Sequence, residues 1–250
     1  MTGLEFVVDD RGVATIRLNR PEEGNALDLG VAEGLAAAIE AIRQDASVRV
    51  VRLSSAGRIF CGGGDVGAMA ASPDRGAYLA DLAGTVHRSL IALDGLAVPV
   101  VAAVQGPAAG AGLGLMLAAD IVVASPKSSF VAAYSGVGLS PDCGVSINLP
   151  RAIGLRRALR MLVRNERVDA RTALEWGLID DLAEPDELDR AADDVVALLL
   201  ERPTEAVGQA RRLARASYAR TFADHLDDEA STISEIGRGG AAAELIARFA

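Results

Sequence analysis

Three groups of residues in this 250-residue chain have the types and spacing to do chemistry. The first is Gly62-Gly63-Gly64-Asp65, and the second runs from Gly106 to Gly114 through Gly110, Ala111 and Gly112. Each follows a short apolar run and precedes a helical pattern, where unpaired backbone N–H groups point outward. Two such loops can aim one N–H each at a shared point, the requirement for holding a developing oxyanion. Glycine lets a ligand carbonyl approach the backbone closely. The third group is the acid Asp142, in Gly138-Leu139-Ser140-Pro141-Asp142-Cys143-Gly144, with the histidine His87 upstream.

Competing readings of the second cluster fail on spacing. A P-loop needs Lys followed by Ser or Thr after its last glycine, and neither is present. Gly110-x-Gly112-x-Gly114 does not match the Gly-x-Gly-x-x-Gly dinucleotide fingerprint. Tight helix packing on small residues remains an alternative for this cluster taken alone.

The elements that must position these groups follow from hydrophobic period. Leu4 to Val8 and Val13 to Leu18 read as strands around the turn Asp9-Asp10-Arg11-Gly12. Asp28 can cap a helix carrying Val31, Leu35, Ile39 and Ile42. Val48 to Leu53, Pro99 to Val104 and Ile121 to Ala124 read as buried strands. A helix over about 77–93 and a short one over Leu115 to Ala119 lie between them. Strand–helix alternation predicts an α/β fold with parallel pairing. From Leu155 onward the pattern is helical, with Leu188, Ala191, Val195 and Leu198 on one face, and a boundary is expected near residue 190.

Composition narrows the partners. A net charge of −9 disfavours nucleic acid and anionic membrane. Half of the residues are hydrophobic but only 4% aromatic, so the core must be aliphatic and alanine-rich. Cys61 and Cys143 have neither metal-ligand spacing nor a disulfide framework. No apolar run reaches membrane-spanning length, and Met1-Thr2-Gly3-Leu4-Glu5 lacks the pattern of a secretory signal. A cytoplasmic protein without a metal is the expectation.

At this point the sequence resembles the crotonase superfamily (enoyl-CoA hydratase/isomerase). The matching segments are Leu18-Asn19-Arg20-Pro21 with Asn25-Ala26-Leu27, Gly57 through Asp65, Pro99 through Asp120, and Ala173-Leu174-Glu175-Trp176-Gly177-Leu178-Ile179. The resemblance implies a spiral of ββα units over residues 1–190 and a helical C-terminal region, 191–250, used in assembly as a homotrimer or a dimer of trimers. It implies no redox cofactor, the substrate itself being a coenzyme A thioester. It carries the oxyanion donors onto the backbone N–H of Gly64 and Ala111, and the CoA onto loops holding Glu23, Asn25, Ala26, Leu27, Gly62, Gly63, Asp65 and Val66.

The resemblance also separates reactions. Hydratases of the family use two glutamates, which fall at Gly114 and Tyr134 here, so both are absent. The Pro-Asp-x-Gly stretch resembles that of CoA isomerases, where the aspartate shuttles a proton. The alternative is that Asp142 simply caps a helix starting near Gly144. 4-Chlorobenzoyl-CoA dehalogenases pair an aspartate nucleophile, at the place of Asp142, with a histidine base at the place of His87; a satisfied core histidine is the other reading of His87. Tyr134 is either a hydrogen-bond donor to Asp142 or a pocket wall. His225, beside Asp224, Asp227 and Asp228, reads as part of a solvated face. Isomerase chemistry leads, with dehalogenase-like hydrolysis and non-catalytic acyl-CoA binding as alternatives.

Overall fold

The computed structural model describes residues 3–249. Met1 and Thr2 of the N-terminal segment, and Ala250 of the C-terminal region, lie outside the described residues. The first half of the chain runs β1 (Leu4–Val8), β2 (Val13–Leu18), α1 (Leu29–Gln44), β3 (Val50–Ser55), α2 (Val66–Ala71) and α3 (Arg75–Asp94). Next come β4 (Val100–Val104), β5 (Ala108–Ala109), α4 (Ala111–Leu117), β6 (Ile121–Ala124) and β7 (Ser129–Val131). Then follow α5 (Val145–Ile153), α6 (Leu155–Val163), β8 (Val168–Asp169), α7 (Ala170–Trp176) and β9 (Asp181–Leu182). The described C-terminal residues hold the α-helices α8 (Leu188–Leu200), α9 (Thr204–Ala216), α10 (Phe222–Gly237) and α11 (Gly240–Ile246).

Strands β1-β2-β3-β4-β6-β9 form one sheet, and β5-β7-β8 a smaller second one. Pairing is parallel from β2 to β9 and between β5 and β7; among the described residues, β1 with β2 and β7 with β8 run antiparallel. Both faces of the large sheet are covered, as a parallel sheet requires. Ile16, Leu53, Ala102 and Val104 join the core with α1 and α3. The alternate residues Val13, Val50 and Val101 meet Val196 of α8, and Ala103 and Val123 meet its Leu188 and Ala192. Residue 190, the expected boundary, therefore lies inside a helix that packs on the sheet.

Asp28 caps α1 as expected, its side chain accepting from the Val31 N–H at 2.8 Å. Two elements are displaced from their expected positions. The strand read at Val48 to Leu53 is shifted to Val50–Ser55, because Ser54 and Ser55 pair with Arg17 and Leu18 of β2. The short helix read at Leu115 to Ala119 begins four residues earlier, at Ala111, directly after Gly110. That correction matters, since it makes the Ala111 N–H the first of a helix.

The C-terminal region is tied to the sheet through buried charge. Arg211 donates to Asp120 at 2.7 Å and to the carbonyls of Leu93, Asp94 and Leu96, closing the end of α3. Arg215 adds a second pair to Asp120 at 2.7 Å. Helices α10 and α11 leave Phe222, Ile233 and Ile246 exposed. His225 departs from its expected solvated setting: its side chain is only 15% exposed and sits 3.4 Å from Glu229, one turn on. Among the described residues, no helix is long and apolar enough to cross a membrane.

Candidate functional site

The first glycine loop is stitched backbone to backbone to Leu27 on one side and to the second glycine loop on the other. Leu27 N–H donates to the Gly63 carbonyl at 2.7 Å, and Asp65 N–H to the Leu27 carbonyl at 2.9 Å. On the other side, Ala109 N–H donates to the Cys61 carbonyl at 2.9 Å. Gly63 has φ +103°, and a Cβ there would lie 3.0 Å from the Ala109 carbonyl oxygen. Gly110 has φ +53° and turns the chain into α4, with the Gly63 Cα 3.8 Å from its Cβ position. A side chain at Gly63 would press on the Ala109 carbonyl, whereas at Gly110 it is the left-handed φ that favours glycine. Between the bridging bonds, the N–H groups of Gly64 and Ala111 donate to no acceptor among the described residues. Both residues line one cavity of about 260 Å³.

The loop expected to hold CoA is built on Asn25 and Arg20. Asn25 is buried with φ 54°; its Nδ2 donates to the carbonyls of Ala56 and Ile59, both at 2.7 Å. Its Oδ1 accepts from the Arg20 N–H at 2.8 Å, so the side chain is consumed inside the fold and shapes the loop rather than facing a ligand. Arg20, which the sequence reading left without a role, pairs with Asp28 at 2.9 Å and Asp65 at 3.3 Å and donates to the Ala26 carbonyl. Asp65 also caps α2 through the Ala68 N–H. Glu23, Gly62 and Val66 are exposed on the same rim, while Leu27 lines the cavity.

Asp142 lines the same cavity. The helix-capping alternative is not realised: Gly144 is the N-cap of α5, and no side chain caps it. Only the Asp142 backbone carbonyl takes part, accepting from Val145 N–H at 3.0 Å. Its carboxylate Oδ1 is buried and without a hydrogen-bond partner. Tyr134 serves in both of the ways considered: it lines the cavity, and its hydroxyl donates to the Asp142 backbone carbonyl at 3.3 Å. Burial pushes the Tyr134 phenol far up from its ordinary range, with the charge of Asp142 adding to it.

His87 is half-buried, and its Nε2 accepts from the Cys143 N–H at 3.0 Å. Accepting there requires a neutral ring with its proton on Nδ1. His87 lines an adjoining cavity, and is not among the residues lining the one that holds Asp142. One donor atom each from His87, Asp142 and Cys143 lies within 4.8 Å of the others, a closeness the sequence spacing did not reveal. The His87 Nε2 is already committed to the Cys143 amide, and burial holds the Cys143 thiol in its protonated form. Cys143 itself had no role in the sequence reading; its position beside Asp142 was the available signal.

Gly114 is packed against this loop. A Cβ there would lie 2.8 Å from the Cys143 Cβ and closer still to the Cys143 carbonyl oxygen. The glutamate that hydratases place at this position has no room here.

A family model described as enoyl-CoA hydratase/isomerase matches residues 9–247. The chain belongs to that family. Among curated relatives, 1,2-epoxyphenylacetyl-CoA isomerase of Escherichia coli is 33% identical over 98% of this chain and 95% of its own. Trans-2-decenoyl-[acyl-carrier-protein] isomerase of Streptococcus mutans is 36% identical over 76% of this chain and 73% of its own. A 4-chlorobenzoyl coenzyme A dehalogenase of Arthrobacter is 28% identical over 89% and 81%. A crystal structure of an enoyl-CoA hydratase from Mycobacterium smegmatis superposes with a TM-score of 0.93 at 31% identity, over 100% of this chain and 96% of that one. The fold is thus the crotonase fold, and the protein is an enoyl-CoA hydratase/isomerase family member suited to an acyl-CoA thioester.

Proposed function

We propose that this family member is an enoyl-CoA isomerase. The observation that carries the reading is Asp142: among the described residues it is the one carboxylate lining the cavity that also holds the free Gly64 and Ala111 N–H groups. In this reading the thioester carbonyl oxygen accepts from both N–H groups. Asp142 takes an α or γ proton, and the electron pair left behind delocalises onto that oxygen. Each donor aimed at the developing charge contributes about 2.7–4 kcal/mol. Asp142 then returns the proton to another carbon, and the double bond moves with no net gain or loss of atoms. An unpartnered carboxylate oxygen in a poorly hydrated wall suits such a shuttle.

The alternatives have less support. Paired-carboxylate hydration lacks its second acid, and the Gly114 position cannot accept one. Aryl-CoA dehalogenation needs His87 as a base toward the Asp142 ester, but the His87 Nε2 is engaged by the Cys143 amide, and His87 lines the adjoining cavity. The relatives named above include isomerases and a dehalogenase, so the chemistry is open to test.

The test incubates the protein with 3-enoyl-CoA, 2-enoyl-CoA and 4-chlorobenzoyl-CoA separately, and repeats each with Asp142→Asn. Isomerisation is expected, and the variant should lose about 10²–10⁴-fold in kcat. Chloride release abolished by both Asp142→Asn and His87→Gln would put dehalogenation ahead. Binding without turnover of any substrate would leave a non-catalytic acyl-CoA-binding protein. Full isomerase activity in Asp142→Asn would remove Asp142 as the base.

A further inference from the structure

Helix α3 passes two cavities in succession. Its residues Leu79, Leu82, Ala83 and Val86 line the chamber of about 260 Å³ that holds the two N–H donors and Asp142. From the next residue on, His87, Leu90, Ile91 and Asp94 line a second chamber of about 410 Å³. The segment facing α3 is divided in the same way. Asp142 lines the first chamber, Gly144 the second, and Cys143 lines both. Across that divide runs the 3.0 Å hydrogen bond from the Cys143 N–H to the His87 Nε2. The two chambers thus follow one another along one helix, with Cys143 lining both and the His87–Cys143 contact at the point where the linings change. The second chamber is lined by the apolar Leu90, Ile91 and Ile147 together with the charged Asp94, Arg151 and Arg215.

We propose that the His87–Cys143 contact is a partition that ends the acyl pocket, and that it makes short or compact acyl thioesters the substrate class of this protein. The inference rests on the acyl-CoA reading of the site and adds a length limit to it. An acyl group pinned at its carbonyl by Gly64 and Ala111 has the first chamber alone to fill. Methylenes beyond it must break the partition or turn back into water. Each buried methylene is worth about fourfold in affinity, so a closed partition shows as a plateau against chain length. Opening it restores the climb.

The experiment is equilibrium binding of acetyl-, butyryl-, hexanoyl- and dodecanoyl-CoA to the intact protein, to His87→Ala and to Cys143→Ala, with folding of each variant checked by circular dichroism. These saturated esters cannot isomerise, so the result does not depend on the reaction. For the wild type, affinity should rise to hexanoyl-CoA and then change less than about threefold to dodecanoyl-CoA. In His87→Ala the dodecanoyl ester should gain at least about tenfold over the hexanoyl ester, and adding Ile147→Trp, which refills the second chamber, should remove that gain. Cys143→Ala tests the same wall should His87→Ala fail to fold. A wild-type affinity that climbs steadily to dodecanoyl-CoA, or the same plateau in both opened variants, overturns the partition while leaving the acyl-CoA reading intact. Absence of binding by every ester would overturn both.

Discussion

Gly114→Ala separates the close-packing account of the site from a looser one. Gly114 lies inside α4, at ordinary helical backbone angles, so helix propensity alone favours alanine by about 1 kcal/mol. Against that, the added methyl would lie 2.8 Å from the Cys143 Cβ and nearer still to its carbonyl oxygen. Neither atom is the end of a flexible side chain. The 142–144 segment must therefore retreat by roughly half an ångström, and overpacking of this kind costs about 1–3 kcal/mol. The balance is a loss of up to about 2 kcal/mol. For a chain of this size each kcal/mol lowers Tm by about 2–4 °C. The larger effect should be on turnover. Asp142 is bonded in sequence to the residue that is pushed, and misplacement of a reacting group by about 1 Å can cost 10²-fold. The expected result is a Tm lowered by several degrees and a kcat lowered by about 10–100-fold, with KM for the CoA ester changed less, because the loop at Glu23 to Leu27 lies elsewhere. Thermal melting by circular dichroism and a spectrophotometric isomerase assay measure the two. A variant with raised Tm and unaltered kcat would show that the segment yields freely, and the steric argument against a glutamate at this position would fall with it.

Two further predictions follow from buried groups. Asn25→Ala removes two donors and one acceptor that are satisfied inside the fold, and leaves alanine in a left-handed conformation. It should cost about 2–4 kcal/mol in urea unfolding and weaken CoA-ester binding through loss of loop order; an unchanged urea midpoint would contradict the assigned role. The thiols give a pH signature. Burial pushes Cys61 up to about 12 and Cys143 further, the charge of Asp142 adding to the latter. Both should resist iodoacetamide at pH 8 in the native protein and react once unfolded, where cysteine ionises near 8.5. Because the folded values lie above the unfolded one, the unfolded chain loses these protons first. This contribution to stability is complete below about pH 8 and falls as pH rises from there toward the folded values. Rapid native-state labelling at pH 8 would refute it.

Much of the architecture was legible along the chain because it depends on local period and local chemistry. The limits of β1, β2 and β6 agree with the apolar runs that suggested them, and the Asp28 cap is a contact three residues long. The two glycine loops and Asp142 could be singled out because their residue types are informative without partners. The sequence also showed that acids are missing at Gly114 and Tyr134.

What those residues do was decided by contacts between distant segments. The Gly64 and Ala111 N–H groups become a pair only because Leu27 bonds Gly63 and Ala109 bonds Cys61. Asn25, expected at the ligand, is spent on carbonyls more than thirty residues away. His87 offered two readings on its helix, and a backbone N–H 56 positions later turned it into a hydrogen-bond acceptor at a chamber wall. No periodicity carries that information, because hydrogen-bond satisfaction and close packing belong to pairs of segments and not to either one. The sequence by itself singled out two glycine loops and one acid; tertiary packing decided that the free N–H groups and that carboxylate line one cavity and that a side chain at Gly114 has no room.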